Sequence, residues 1–304
     1  MLSGDSNVFA DLDSFTYDGH DNDVLAANIC GPHAPADSSP PMITPTVSGT
    51  LGNNDWYTSN VNVSWDVSDS ESDVSSSTGC SVISITSDQA ATTYTCSATS
   101  AGGTDSKSVT IKRDASAPTL APSVSPNPVL LNGTATASAN ASDVTSGLAS
   151  QSCSAVNTSS VGAAKTVGCT ATDNAGNIAN ANATYAVTYK FSSFASPVDG
   201  NGVLNVAKAG QSIPLKWRLV DANNAPVTTL TSVTMTVVSL SCSTGTTTDA
   251  IEVYTAGSSG LQNLGDGYYQ FNWKSPTTYA NSCKTLTLTL SDGTVYTALF
   301  QFKK

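Results

Sequence analysis

The chain reads as short runs in which apolar and polar residues alternate, broken by clusters of Gly, Pro, Asn, Asp and Ser. Val61, Val63 and Trp65 alternate with Asn62 and Ser64. Val82, Ile83 and Ile85 precede a polar turn region, Tyr94-Thr95-Cys96 begins another run, and Gly102-Gly103 marks a turn before Val109 and Ile111. Further on, Ile213, Leu215, Trp217 and Leu219 share one parity, with Lys216 and Arg218 between them, and Val233, Met235 and Val237 repeat the pattern. Leu286, Leu288 and Leu290 lead into Ser291-Asp292-Gly293-Thr294, a hairpin-turn signature, after which Tyr296, Ala298, Phe300 and Phe302 fall on one face. A period of two puts successive side chains on opposite faces of a strand, so each run buries one face and wets the other. No segment carries a helical period. The pattern predicts an all-β chain of antiparallel sheets.

Two boundaries punctuate these runs, each an Asp followed within a few residues by Pro: Asp37-Ser38-Ser39-Pro40-Pro41 and Asp114-Ala115-Ser116-Ala117-Pro118. Between and beyond them a unit repeats. Cys80-Ser81 aligns with Cys153-Ser154, Cys96-Ser97-Ala98-Thr99 with Cys169-Thr170-Ala171-Thr172, and Gly103 with Gly176. The expected organisation is an irregular acidic segment over 1–42, modules over 43–115 and 116–189, and a C-terminal β domain over 190–304. Each unit is large enough to bury its own core, so the array is a string of beads rather than a solenoid.

The seven cysteines are Cys30, Cys80, Cys96, Cys153, Cys169, Cys242 and Cys283. None has C-x-x-C or other zinc-ligand spacing. Cys80 and Cys96 stand at the same separation as Cys153 and Cys169, one module later, so the pairs Cys80–Cys96 and Cys153–Cys169 are expected, with Cys242–Cys283 as the third and Cys30 unpaired. A disulfide closing a loop of this length contributes roughly 3 kcal/mol on the chain-entropy estimate. Such bonds persist in an oxidising compartment. The opening Met1-Leu2-Ser3-Gly4-Asp5 has neither the basic nor the apolar stretch of a secretory signal.

Composition narrows the function. Charged residues make up 12% and the net charge is −11, with no basic run. Nucleic-acid binding requires clustered Lys and Arg to neutralise phosphates and is excluded as an expectation. No stretch reaches the ~20 apolar residues that span a bilayer as a helix. With two Glu in the chain, Glu71 and Glu252, a coiled coil is excluded as well. Both histidines, His20 and His33, lie in the N-terminal segment, which leaves the modules without the commonest general base.

The modules resemble bacterial extracellular immunoglobulin-like modules. The first carries Gly52-Asn53-Asn54-Asp55-Trp56-Tyr57-Thr58-Ser59, Val61-x-Val63-x-Trp65, Cys96-Ser97-Ala98-Thr99-Ser100-Ala101-Gly102-Gly103 and the closing Val109-Thr110-Ile111-Lys112-Arg113-Asp114. The second carries Asp143-Val144-Thr145-Ser146-Gly147 and Cys169-Thr170-Ala171-Thr172-Asp173-Asn174-Ala175-Gly176-Asn177. The last section is similar to the PxKF domain found at the C-termini of bacterial secreted proteins, through Lys190-Phe191-x-x-Phe194-x-x-Pro197-Val198, Val206-x-Lys208-Ala209-Gly210, Pro214-Leu215-Lys216-Trp217, Tyr254-x-Ala256-Gly257, Tyr268–Trp273, Cys283 and Leu290-Ser291-Asp292-Gly293-Thr294. Trp217 stands where that family's name has Phe. The resemblance implies three tandem antiparallel β-sandwiches, stapled by disulfides and exported. It carries no catalytic residues.

Candidate sites follow from chemistry. Hard cations such as calcium bind clustered carboxylates, and Asp11, Asp13, Asp18, Asp21 and Asp23 form one Asp-rich stretch without EF-hand spacing. Asp37 and Asp114, with Asp69, Asp73, Asp143 and Asp173, offer a second calcium set at the module boundaries. Of these, Asp114, Asp143 and Asp173 are the metal candidates, while Asp143 and Asp173 read first as turn residues bonding their own backbone. No other cofactor is expected. Trp56, in a loop beside Asn54 and Asp55, is a candidate for stacking on a sugar. Trp65 reads as packing on the Cys80–Cys96 bridge, as Trp does in immunoglobulin sandwiches, and Trp217 and Trp273 as core. The reading is a non-enzymatic extracellular or cell-surface protein, a spacer or adhesion element whose partners are other protein subunits, cell-surface components or glycans. Two alternatives stay open, a subunit of an extracellular filament or virion tail or capsid decoration, and a carbohydrate-binding accessory module of a secreted enzyme.

Overall fold

The computed structural model describes residues 36–200, 202–242, 247–256 and 260–304, the strand over 247–256 by its backbone alone. Cys30, His20, His33, Gly257 and the Asp11–Asp23 stretch lie outside the described residues, as do the side chains of Glu252 and Tyr254. Among the described residues there are strands and two single-turn 3-10 elements, with no α-helix. Among the described residues no helix is long and apolar enough to cross a membrane.

The first group of strands is β1 (Met42–Ser48), β2 (Trp56–Tyr57), β3 (Val61–Ser68), β4 (Ser76–Thr78), β5 (Ile83–Ile85), β6 (Gln89–Ser100) and β7 (Gly103–Arg113). They form sheets of order β1-β3-β5 and β2-β7-β6-β4. The second group is β8 (Thr119–Leu120), β9 (Ser123–Ser125), β10 (Val129–Leu130), β11 (Thr136–Ser138), β12 (Ala141–Ser142), β13 (Leu148–Cys153), β14 (Gly162–Asp173) and β15 (Ile178–Thr188), with a main sheet β10-β15-β14-β13 and two short pairs. The third is β16 (Lys190–Ala195), β17 (Leu204–Lys208), β18 (Ser212–Val220), β19 (Val233–Leu240), β20 (Thr247–Ala256), β21 (Leu261–Gly265), β22 (Tyr268–Lys274), β23 (Cys283–Thr289) and β24 (Val295–Lys303), in sheets β16-β18-β22-β21 and β17-β24-β23-β19-β20. The chain divides into two compact units. One is the described part of Met1–Ser48 with Asn62–Ser84 and Thr93–Thr110. The other is Gly49–Val61, Ile85–Thr92 and Ile111–Lys304.

In the first unit the core is thin. Ile43, Cys96 and Ala98 are buried, and Trp65, Val67, Val74 and Cys80 pack against them. Trp65 therefore lies in the cluster that holds the Cys80–Cys96 bridge. In the second unit, Val124, Val129, Val167, Ala183, Tyr185 and Val187 make one small cluster. The third strand group holds the large one. The alternating side chains Ile213, Leu215, Trp217 and Leu219 of β18 meet Leu286 and Leu288 of β23 and Phe300 and Phe302 of β24, all at most 3% exposed. Trp273 meets Phe300 and Phe302 edge-on, with ring centres 5.2 and 5.8 Å apart. This is the arrangement in which an aromatic ring's positive edge faces a neighbour's negative face. The two sheets of this group are thus joined face to face by interdigitated rings, a β-sandwich.

All three disulfides follow one plan. Cys153 and Cys169 are register partners on β13 and β14. Cys80 stands two residues past β4, whose Thr78 partners Ser97, and bonds Cys96. Cys242 stands two residues past β19, whose Leu240 partners Cys283, and bonds Cys283. Each bridge ties neighbouring strands of one sheet, rather than joining two sheets as in antibody domains. With few apolar contacts available, the covalent tie keeps a short strand in its ladder. Replacing both Cys153 and Cys169 by Ala is expected to lower unfolding free energy by about 3 kcal/mol, from closure of a loop of this length. Urea unfolding measures it, and a cost below about 1 kcal/mol would remove the staple from the account.

Candidate metal centre

Asp114, Asp143 and Asp173 come together, each offering a carboxylate oxygen within 4.8 Å of the others. Asp114 follows β7 directly, and its N–H donates to the Tyr57 carbonyl at 2.9 Å. Its Oδ1 accepts the Ser116 N–H and its Oδ2 the Ser146 N–H, both at 3.1 Å. Asp143 opens the loop after β12, and its Oδ1 accepts the N–H groups of Thr145, Ser146 and Gly147 at 2.8–3.1 Å. Asp173 ends β14. Its Oδ1 accepts the Gly176 and Asn177 N–H groups at 2.7 and 2.8 Å, and its Oδ2 accepts Asn177 Nδ2 at 2.9 Å. Asp143 and Asp173 are therefore turn residues bonding their own backbone, and in the same geometry they bring their carboxylates beside Asp114. Asp114 and Asp173 are fully buried and Asp143 is half-buried.

This donor set is one that could hold a hard cation. Like charges held this close repel, and the N–H donors around each carboxylate offset part of that repulsion, as a bound cation would. Among the described residues the three ion pairs lie elsewhere, at Lys107–Asp105, Arg113–Asp88 and Arg218–Asp266. All-oxygen coordination from carboxylates suits calcium or magnesium rather than a softer ion.

The surroundings are closely packed. The Asn53 N–H donates to the Ala175 carbonyl at 2.8 Å, Asn54 Nδ2 to the Asn174 carbonyl at 2.9 Å, and Lys112 Nζ to the Asn54 carbonyl. A Cβ on Gly52 would stand 2.3 Å from the Ala175 carbonyl oxygen, and Gly176, at φ +98°, faces Asn53. Arg113 adds a buried clamp: it pairs with Asp88, while Asp88 also accepts the Ala115 N–H at 2.9 Å and the Ser116 hydroxyl. Burial opposes ionisation of Asp88, but those two hydrogen bonds and Arg113 together hold its pKa below the usual carboxylate value. Trp56 is half-buried on β2, with Lys112 Nζ 5.4 Å from its ring centre.

The remaining aspartates sit apart from this cluster. Asp73 is exposed. Asp37, Asp69 and Ser100 occupy the positions that Asp114, Asp143 and Asp173 take one repeat later. Asp69 Oδ1 accepts the Glu71 and Ser72 N–H groups, the same offsets used by Asp143. Asp37 accepts the Ser72 hydroxyl at 2.6 Å, the Gly102 N–H at 2.6 Å and the Ser100 hydroxyl at 3.1 Å. A hydroxyl that donates thus replaces the third carboxylate, and the Ser72 bond leads in lowering the Asp37 pKa to about 2. Carrying the repeat alignment one residue past Thr99 and Thr172 locates this exchange.

Two further aspartates hold the start of the third strand group. Asp292, buried in the predicted hairpin turn, accepts the N–H of Tyr189, the single residue between β15 and β16, at 2.7 Å. Asp221 accepts Asn132 Nδ2 at 2.9 Å and the Asn223 and Ala225 N–H groups, with the Asn132 bond foremost in lowering its pKa. Both roles escape sequence reading because their partners lie 89 and 103 residues away.

No protein-family model and no curated protein matches the chain. Among solved structures it is similar to immunoglobulin domains 1–5 of Sidekick-1, at 12% identity over 90% of this chain and 60% of that one, with a TM-score of 0.27. It is also similar to a tetra-tandem repeat in the extending region of a large adhesion protein, at 16% identity over 85% and 73%, TM-score 0.27. A third likeness is to the three N-terminal domains of the bacteriophage RB49 outer capsid protein Hoc, at 9% identity over 86% and 98%, TM-score 0.24. At these scores the likenesses decide neither fold nor function, and the architecture stands on the strand pairing itself.

Gly52→Ala is expected to destabilise by about 1–3 kcal/mol in chemical denaturation, because its methyl meets a backbone carbonyl that cannot give way. For Asp37 the sign follows from its lowered pKa. The stabilisation is complete above the unfolded value near 3.8 and is lost as pH falls towards about 2. The stability gap between the native chain and Asp37→Asn should therefore shrink across that window in urea titrations; a gap that widens on acidification would contradict the assignment.

Proposed function

We propose that the chain is a non-enzymatic structural or adhesion element outside the reducing cytoplasm: a spacer of three β domains, 43–115, 116–189 and 190–304, whose first joint is stiffened by a calcium ion on Asp114, Asp143 and Asp173. The observation that carries this reading is the convergence of those three carboxylates, two of them without solvent exposure, at the place where one strand group ends and the next begins. A cation there neutralises the repulsion and makes the joint a bonded element instead of a hinge. Three disulfides support an oxidising compartment. Extracellular calcium modules bind with dissociation constants of roughly 10⁻⁴–10⁻³ M, a range that carboxylates already engaged with N–H donors suit.

Work in this reading is mechanical. The domain ends are tied by short hydrogen-bonded segments, the disulfides hold the sheets in register, and a surface rich in Ser and Thr keeps the string wet at low charge.

Calorimetric titration with calcium tests the site. Asp143→Asn keeps the oxygen that accepts the loop N–H groups and removes one charge, so binding should weaken while the fold persists. Saturating calcium at a hundred times its dissociation constant should stabilise the native chain by about 2.7 kcal/mol. Identical melting in calcium and in chelator, with no binding heat, would sink the calcium joint.

A further inference from the structure

We infer that Asn132-Gly133 is a spontaneous deamidation site restrained by Asp221, and that its conversion releases the contact between the second and third strand groups. The fold itself demands this pair. Asn132 lies two residues past β10 at φ +57°, a left-handed conformation that Asn tolerates better than most side chains. Gly133 answers a close approach: a Cβ there would stand 2.8 Å from the Leu130 carbonyl oxygen and 3.3 Å from the Ala222 Cβ. The same two choices make the pair labile. With no side chain on the following residue, its backbone nitrogen can swing onto the Asn side-chain amide without obstruction. Asn132 is exposed, so water and base have access to it.

The step needs only solvent. The Gly133 nitrogen, its proton taken by solvent base, attacks the Asn132 Cγ; the Cγ–Nδ2 bond breaks, ammonia leaves and a cyclic imide remains. Water opens the imide at either carbonyl, giving aspartate or isoaspartate. In the native turn both reacting groups are held. The Gly133 N–H donates to the Leu130 carbonyl at 2.8 Å, and the Gly133 carbonyl accepts the Thr158 hydroxyl at 2.7 Å. The Asn132 N–H donates to the Thr158 carbonyl at 2.8 Å, and its Nδ2 to Asp221 Oδ2 at 2.9 Å. Asp221 is buried and is fixed in turn through Oδ1 by the Asn223 and Ala225 N–H groups. Attack therefore waits for local opening of the turn. The product reverses the contact. A carboxylate at 132 has no proton to give Asp221 and repels it, and isoaspartate lengthens the main chain of a tight turn. Next to it lie the backbone ties of this joint: the Ala222 N–H donates to the Leu131 carbonyl at 2.9 Å, and the Leu131 N–H to the Thr188 carbonyl at 2.8 Å. A new chain keeps the joint closed, and an aged one loosens it.

Peptide mapping by mass spectrometry tests this on the full chain, aged at mildly alkaline pH and sampled over time. The chain's other Asn-Gly pair, Asn201-Gly202, supplies a reference rate in the same sample. Asn132 should convert at least about tenfold more slowly in the native chain than in urea, because only opened turns react. The products should include isoaspartate, the mark of the imide. In Asp221→Ala, shown to be folded by circular dichroism, conversion at Asn132 should quicken by about tenfold, the weight of a hydrogen bond to a charged acceptor, while Asn201 keeps its rate. Asn132→Asp presents the product directly. It should unfold at lower urea than the native chain, and adding Asp221→Asn, which restores a donor to the pair, should recover much of the loss. Equal rates at Asn132 in native and unfolded chains, an unchanged rate in folded Asp221→Ala, or an Asn132→Asp chain as stable as the native one would overturn the inference. Should Asp221→Ala fail to fold, the stability of Asn132→Asp with and without Asp221→Asn decides it.

Discussion

Backbone N–H groups at the ends of the strand groups must be paired, and in this protein an aspartate side chain pairs them. Asp143 and Asp173 accept from their own turns and Asp114 from the Asp143 turn, Asp292 holds the N–H of Tyr189, and Asp221 gathers Asn132, Asn223 and Ala225. A carboxylate accepting two or three N–H donors is a strong, directional acceptor, and it is stable in its charged form because those donors replace water. This is why a chain poor in charge keeps its aspartates where strand groups meet. The local structure at these strand-group ends depends on this pairing.

The repeat supplies an internal comparison. Asp37, Asp69 and Ser100 stand where Asp114, Asp143 and Asp173 stand one module later. With Ser100 in the third place, a hydroxyl donates to Asp37 and the site closes as a hydrogen-bonded latch. With Asp173 in that place, three carboxylates converge, each accepting from backbone N–H groups. One side-chain exchange thus separates a hydrogen-bonded latch from a group of three carboxylates that could hold a cation.

The apolar mass is distributed unevenly, while each strand group carries one staple. The first two strand groups rest on small clusters of Val, Ala, Ile and a disulfide, whereas the third is filled by Trp217, Trp273, Phe300 and Phe302. Each bridge acts within a sheet; in the first two groups it secures a short strand, β4 or β13, against a long neighbour, and in the third it ties two strands of similar length. A thin core tolerates such strands only when something other than burial holds their register.

Much of this was legible beforehand. Period-two alternation placed the faces of β18, β19, β23 and β24, because burial of one sheet face imposes that period directly on the residues. Equal spacing of Cys80–Cys96 and Cys153–Cys169 exposed the repeat, and Ser291–Thr294 announced its hairpin, because turn chemistry is local. The grouping of Asp114 with Asp143 and Asp173, and their separation from Asp37, Asp69 and Asp73, was not legible, since aspartates look alike in sequence and differ only in what surrounds them. The same holds for Asp221 and Asp292 and for the Arg113–Asp88 clamp. Local composition and periodicity determined which residues pair into sheets and which face they bury. Only the tertiary structure decided which charges meet, because desolvation and like-charge repulsion depend on distances of a few ångströms between residues far apart along the chain.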